Sequence, residues 1–293
     1  INTKTYKTIF KEKQLDELIK KLNEKSVIAV DTETSSLNPQ EADLVGISLC
    51  YEANEAFYIP VGHTEKTELI KDIVLKKLKP LLEDPSIKKV GQNIKYDFII
   101  FKNHGIELNS VEDTMLLSYT LDAGNNRHNM DTLSELHLGH KTISYKDLVG
   151  TGKKQLNFSE VDLKSATEYA AEDADITLRL YEVLSERVSK EKLEKIYEEF
   201  EKPMIKILSK LESSGVKVDD AYLKKLSKKF EERLITIEKE IYKISGKKFN
   251  IGSPKQLGEI IYNDLKIAKL KKTKKGSLAC LLYTSDAADE VLG

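Results

Sequence analysis

The chain has 293 residues, 40% of them hydrophobic and 32% charged, enough for one good core plus part of another domain. Its formal net charge of -1 gives no general affinity for polyanions, so contact with nucleic acid would need local basic patches. Two cysteines, Cys50 and Cys280, make no disulfide framework, and with no long apolar span and no signal-peptide-like start a soluble, cytoplasmic protein is expected.

In chain order, Asp16 to Asn23 reads as a helix, followed by three strand candidates, Val27 to Val30, Leu44 to Tyr51 and Ala56 to Pro60. Short polar turns between them predict an antiparallel meander. A helix over Leu69 to Leu82, a short strand at Lys89 to Gly91 and a helix starting near Tyr96 continue the alternation. Further helices are expected at Asp113 to Leu121 and Met130 to His137, then a polar, glycine-containing stretch from Thr142 to Phe158 that packs beside the strands. Ser165 to Leu184 reads as helix. After Pro203, Met204, Ile207, Leu208 and Leu211 recur at helical spacing until Gly215, and a long amphipathic helix spans Tyr222 to Ile244.

Three short clusters carry the chemistry. The apolar run Val27-Ile28-Ala29-Val30 ends in Asp31-Thr32-Glu33, and alternation along a strand puts Asp31 and Glu33 on one face. Adjacent carboxylates repel and raise each other's pKa unless a divalent cation lies between them. The second cluster is Asn93-Ile94-Lys95-Tyr96-Asp97. In the third, Tyr169-Ala170-Ala171-Glu172-Asp173, a spacing of four places the phenol and the Asp173 carboxylate on one helix face. Asp-x-Glu alone reads more readily as a surface strand end, and the third cluster reads also as an acidic, solvated helix flank, with Glu172 and Asp175 undistinguished. Order is what separates them from ordinary surface acids.

Asp-x-Glu after a strand, then Asn-x-x-x-Asp, then Tyr-x-x-x-Asp resembles the DEDD exonuclease superfamily in its tyrosine branch; Glu168 stands where the histidine branch would carry His. Asp31-Thr32-Glu33-Thr34 with Ser36-Leu37, Val90-Gly91-Gln92-Asn93, Asp113-Thr114-Met115-Leu116 and Tyr169 to Asp175 resemble the proofreading domain of the bacterial polymerase I type of family A DNA polymerases. The resemblance implies an α/β, ribonuclease H-like mixed sheet with flanking helices, followed by a truncated all-α segment. It implies a 3′-5′ exonuclease that releases nucleoside monophosphates, with Asp31, Glu33, Asp97 and Asp173 as ligands of two divalent ions and Tyr169 orienting the attacking water. No catalytic position departs from that pattern. An all-oxygen ligand set suits Mg²⁺ or Mn²⁺, with Zn²⁺ admissible at one site. By the same resemblance Leu37 and Phe158 are wedges against the terminal bases, and Gln92, Asn93, Lys95, Tyr96 and Arg127 contact the strand. The implied substrate is the single-stranded 3′ end of DNA, with a primer-template duplex as partner of the parent protein, a monomeric state and no membrane.

The proofreading resemblance covers residues 1-200. Residues 201-278, with Glu212-Ser213-Ser214-Gly215-Val216 and Phe249-Asn250-Ile251-Gly252-Ser253-Pro254, resemble the start of a polymerase domain, where thumb helices begin. Lys266, Lys269, Lys271, Lys272, Lys274 and Lys275 are duplex-phosphate candidates there, as readily read as a solvated run. Residues 279-293 have no place in this family and read as a translated sequencing adapter. A start at Ile1 adds to the expectation of a fragment of a longer replication and repair polymerase, without a nucleotide-incorporation site. His137-Leu138-Gly139-His140 lacks further soft ligands nearby and reads as ordinary histidines, and no glycine-rich phosphate loop is present. Two other readings stay open: a ribonuclease D-like RNA exonuclease, and a non-catalytic DNA-binding or structural module.

Overall fold

A computed structural model describes residues 5-152 and 155-266. The sheet is organised around β2 (Val27–Thr34), whose first four residues are all apolar, the pattern of a strand covered on both faces. It pairs antiparallel with β3 (Leu44–Glu52), which pairs antiparallel with β4 (Glu55–Pro60), giving the expected meander. On its other edge β2 runs parallel to β5 (Lys88–Gly91), and β5 parallel to β6 (Val111–Asp113). With β1 (Lys7–Thr8) parallel to β4, the six-stranded order is β1-β4-β3-β2-β5-β6. This mixed sheet with flanking helices is the α/β fold expected. Strands β1 and β6 are too short to show periodicity, and only pairing with β4 and β5 defines them.

Strand β2 is longer than its apolar run suggests. Pairing with β3 continues through Asp31↔Ser48 and Glu33↔Gly46, with a register shift between Glu33 and Thr34. Asp31 and Glu33 therefore lie inside the strand, next to a bulge that ends regular pairing, a placement common beside active sites.

The two faces of β2 have different neighbours. Ile28 and Val30 join the main core with Leu15 and Leu18 of α1 (Glu12–Leu22), Val74 and Leu78 of α2 (Lys71–Glu83), and Phe98 and Phe101 of α3 (Lys95–Asn103). Ala29 points the other way, toward α7 (Leu163–Lys190), where Ala171, Ala174 and Leu178 meet Ala29, Cys50 and Ala56. Small residues on both sides let the helix backbone approach the sheet. Asp162 caps α7 by accepting from the Ser165 amide, and Arg187 and Lys190 complement its last turn. Between α3 and α7 lie α4 (Thr114–Asp122), α5 (Met130–Leu138) and α6 (Tyr145–Val149), the last inside a stretch expected to be irregular.

Two compact units are present, the first ending at Gly215 and the second starting at Val216. The division falls later than the boundary expected after residue 200. Following α8 (Glu194–Ile196) and a π-helical turn, α9 (Lys202–Ser214) buries Ile205 in the main core and so belongs to the first unit. In the second unit, α10 (Asp220–Ser245) ends at Gly246 in the left-handed conformation, and α11 (Pro254–Glu259) is capped by Ser253. Lysines 269 to 275 and the tail from 279 lie outside the described residues, and among the described residues no helix is long and apolar enough to cross a membrane.

Candidate active site

Alternation along β2 sends Asp31 and Glu33 to the α7 face, the side already marked by Ala29. Asp173 projects from α7 toward them. Carboxylate oxygens of Asp31, Glu33 and Asp173 all lie within 4.8 Å of one another. Asp97 is not part of this triplet. It sits in the first turn of α3 and is held from the opposite parity of β2: the Thr32 amide and Thr32 Oγ1 both donate to Asp97 Oδ1, at 2.9 and 2.5 Å.

The turn entering α3 is built around Asn93, whose φ of 60° lies in the left-handed region that Asn tolerates better than most residues. Asp113, 1% exposed, accepts from the amides of Asn93 and Ile94 and also caps α4 through the Met115 amide. One carboxylate thus fixes the start of two helices. This explains why an acid stands at 113, a role the sequence motif left unassigned.

No lysine or arginine is paired with Asp31, Glu33, Asp97 or Asp173 among the described residues. Burial lifts Asp31, Glu33 and Asp97 well above the ordinary carboxylate range; Asp173 adds to the rise at Asp31, and Asp31 to that at Glu33 and at Asp97. Asp173 is pushed to about 8, chiefly by burial, against a hydrogen bond from Tyr169 that lowers it. With Glu33, Asp97 and Asp173 buried, Asp31 half-buried, no basic partner among the described residues and only oxygen donors, the set fits hard divalent cations. Burial first, and then the neighbouring Asp173, drive the Tyr169 hydroxyl far above its usual range, so it stays a proton donor.

The carboxylates open into a groove of about 1300 Å³ lined also by Leu37, Asn93, Tyr96, Tyr145, Lys146 and Tyr169. Leu37 is 97% exposed at its edge. Phe158, expected as the second wedge, is instead 1% exposed, covered by Tyr58, Tyr145 and Tyr169. Tyr145, 40% exposed, presents an aromatic face to the groove and was missed from the sequence, where it looked like one residue of a polar stretch. Gln92 is committed within the protein, its amide nitrogen donating to the His128 carbonyl and its oxygen accepting from Thr114. Tyr96 is tied to Thr34 and the Ser36 carbonyl, Lys95 is paired with Glu212, and Arg127 is exposed but does not line the groove.

The two anonymous acids of α7 are anchors. Glu172 accepts from the Ile143 amide at 2.6 Å and lies 2.9 Å from His140 Nε2, which fastens the approach to α6. Asp175 accepts from the Tyr6 hydroxyl, the Asn54 amide and Arg179.

Comparison with known proteins agrees with this architecture. A DNA polymerase I from Rhizobium leguminosarum is 42% identical over 291 residues, covering 92% of this chain and 29% of that protein. The chain spans under a third of the length of the curated relatives it matches. Among solved structures, the POL domain of M. smegmatis Pol1 in complex with DNA primer-template and dNTP superposes with a TM-score of 0.73 at 20% identity, covering 97% of this chain and 45% of that one. Brucella melitensis NrnC superposes less well, TM-score 0.53 at 22% identity over 71% of this chain and 90% of its own, which speaks to the fold alone. Residues 220-287 match the DNA polymerase family A family, a match that runs on into the segment read above as foreign. Residues 6-189, more than half of the chain and every acid of the groove, match the 3'-5' exonuclease domain of family A DNA polymerases, and the chain belongs to that 3'-5' exonuclease family.

Proposed function

We propose that this chain removes 3′-terminal nucleotides from single-stranded or frayed DNA by phosphodiester hydrolysis, as the proofreading part of a longer replication and repair polymerase. The observation that carries the reading is the meeting of Asp31, Glu33 and Asp173 within 4.8 Å in the wall of the groove, with no basic side chain paired to them among the described residues. Together with Asp97 they would hold two divalent cations, Mg²⁺ or Mn²⁺ with Zn²⁺ admissible at one site, which supply acidification of the attacking water and charge stabilisation at the leaving 3′ oxygen.

The chain's own residues do the rest. The Tyr169 hydroxyl, kept protonated, donates to Asp173 and sits beside the position of the nucleophile, where it orients water without taking its proton. Tyr145 offers a stacking face and Leu37 an exposed apolar edge, the surfaces that hold a frayed strand without reading its bases. Lys146, beside Tyr145 in the groove wall, supplies positive charge for a phosphate.

The exonuclease is assigned to the first unit, to Gly215, and the second unit to the beginning of a polymerase domain, supported by the family A match from residue 220. That match also favours a DNA polymerase over a ribonuclease D-like enzyme. A cytoplasmic monomer is the corresponding cellular form. Incubation with 5′-labelled single-stranded DNA and Mg²⁺, beside Asp173→Ala and an EDTA control, tests the reading. A ladder shortening from the 3′ end only in the unmodified, metal-supplied reaction is expected; DNA binding with no cleavage would leave a non-catalytic module.

A further inference from the structure

Thr32 stands between Asp31 and Glu33 in sequence but on the other face of the strand. Its neighbours of like parity, Ile28 and Val30, enter the core under α1, α2 and α3, so its side chain faces α3, the helix that carries Asp97. Thr32 is 7% exposed and Asp97 3%. Both donors of Thr32 fall on one oxygen, Asp97 Oδ1, and no other residue donates to Oδ2 among the described residues. Asp31 repels the Asp97 carboxylate. Left without a tether on the α3 side, that carboxylate would turn away from the strand.

We infer that Thr32 is a positioning residue for the metal centre: its hydroxyl and amide clamp one oxygen of Asp97 and leave the other free to share a cation with Asp31. The inference rests on the metal-binding reading of the four carboxylates. Flanked by Asp31 and Glu33, Thr32 ties the α3 acid to the strand acids at a single residue step. Threonine suits the task because branching at Cβ restricts χ1 in a strand, so the hydroxyl is aimed before any cation arrives. Serine keeps the hydroxyl without the branch; valine keeps the branch without the hydroxyl. Side chains that orient metal ligands typically govern affinity by 10- to 100-fold when removed, roughly the scale expected here.

Mn²⁺ binding to the DNA-free protein, followed by the electron paramagnetic resonance of unbound Mn²⁺, tests this without reference to turnover. Thr32→Val is expected to weaken Mn²⁺ binding about tenfold or more, while Thr32→Ser stays within about threefold of the parent. A thermal melt of each variant establishes folding; if Thr32→Val does not fold, Thr32→Ala provides the hydroxyl-free arm. Equal Mn²⁺ affinity in the parent and the hydroxyl-free variant overturns the role of Thr32 and leaves the metal centre standing. Serine as weak as valine also overturns it, because packing of the methyl group would then be the cause. A parent protein that binds no Mn²⁺ overturns the metal-centre reading itself.

Discussion

The ring of Tyr145 lies parallel to that of Phe158, with centroids 6.4 Å apart and 6° between their planes. Tyr145 is thereby backed by a buried aromatic and keeps its outer face in the groove. Replacing Tyr145 by Ala should raise KM for single-stranded DNA about tenfold with little change in folding, since a base stacked on an aromatic is worth roughly 1–3 kcal/mol. Replacing Phe158 by Ala should instead cost about 3–5 kcal/mol of stability by opening a core cavity. Steady-state kinetics and urea denaturation of the two variants separate these roles.

Asp173 titrates in the folded protein near 8, above its ordinary 3.8, so the metal-free native state holds a proton that the unfolded chain has released over that interval. Stability without metal should therefore fall as pH rises from about 4 toward 8. Divalent cations reverse the trend by binding the ionised carboxylates, and their stabilisation should grow with pH. Melting temperatures at several pH values, with EDTA and with Mg²⁺, check the sign. In Asp173→Asn the metal-free decline should be shallower.

Lys146 is a cation of the groove wall, next to Tyr145 in the chain. Lys146→Glu should raise KM for DNA several-fold, and the slope of log affinity against log salt should drop by about 0.7, the contribution of one phosphate contact on a single strand. Titration of labelled single-stranded DNA in EDTA, over a range of salt, measures that slope. An unchanged slope would place the backbone elsewhere.

Asp113 holds the amides of Asn93, Ile94 and Met115 at once. Asp113→Ala should cost more than the roughly 0.5–2 kcal/mol of a lost helix cap, because further buried donors lose their acceptor. Since the same turn leads into Asp97, exonuclease activity should decline even in the folded fraction. Asp113→Asn, which keeps an acceptor oxygen, should recover part of both. Denaturation and single-turnover cleavage report the two effects separately.

The candidate acids were legible in the sequence through the order of the three clusters and the family resemblance that order carries, while the periods of strand and helix account only for which of them share a face. Two residues along a strand keep Asp31 and Glu33 together, and four along a helix keep Tyr169 and Asp173 together, whatever surrounds them. The sheet was legible where apolar runs were long, and β1 and β6 were not, having only two and three residues each. Which of Tyr145 and Phe158 is the exposed ring depended on how the segment before α7 folds over Tyr58 and Tyr169, a long-range packing that local pattern does not encode. The same holds for Ile205, whose burial carries the first unit on to Gly215. Sequence alone determined which acids are candidates for the site; the tertiary structure decided which of them meet and which neighbours hold them, because hydrogen bonds such as Thr32 to Asp97 join residues whose proximity arises only when strand and helix pack.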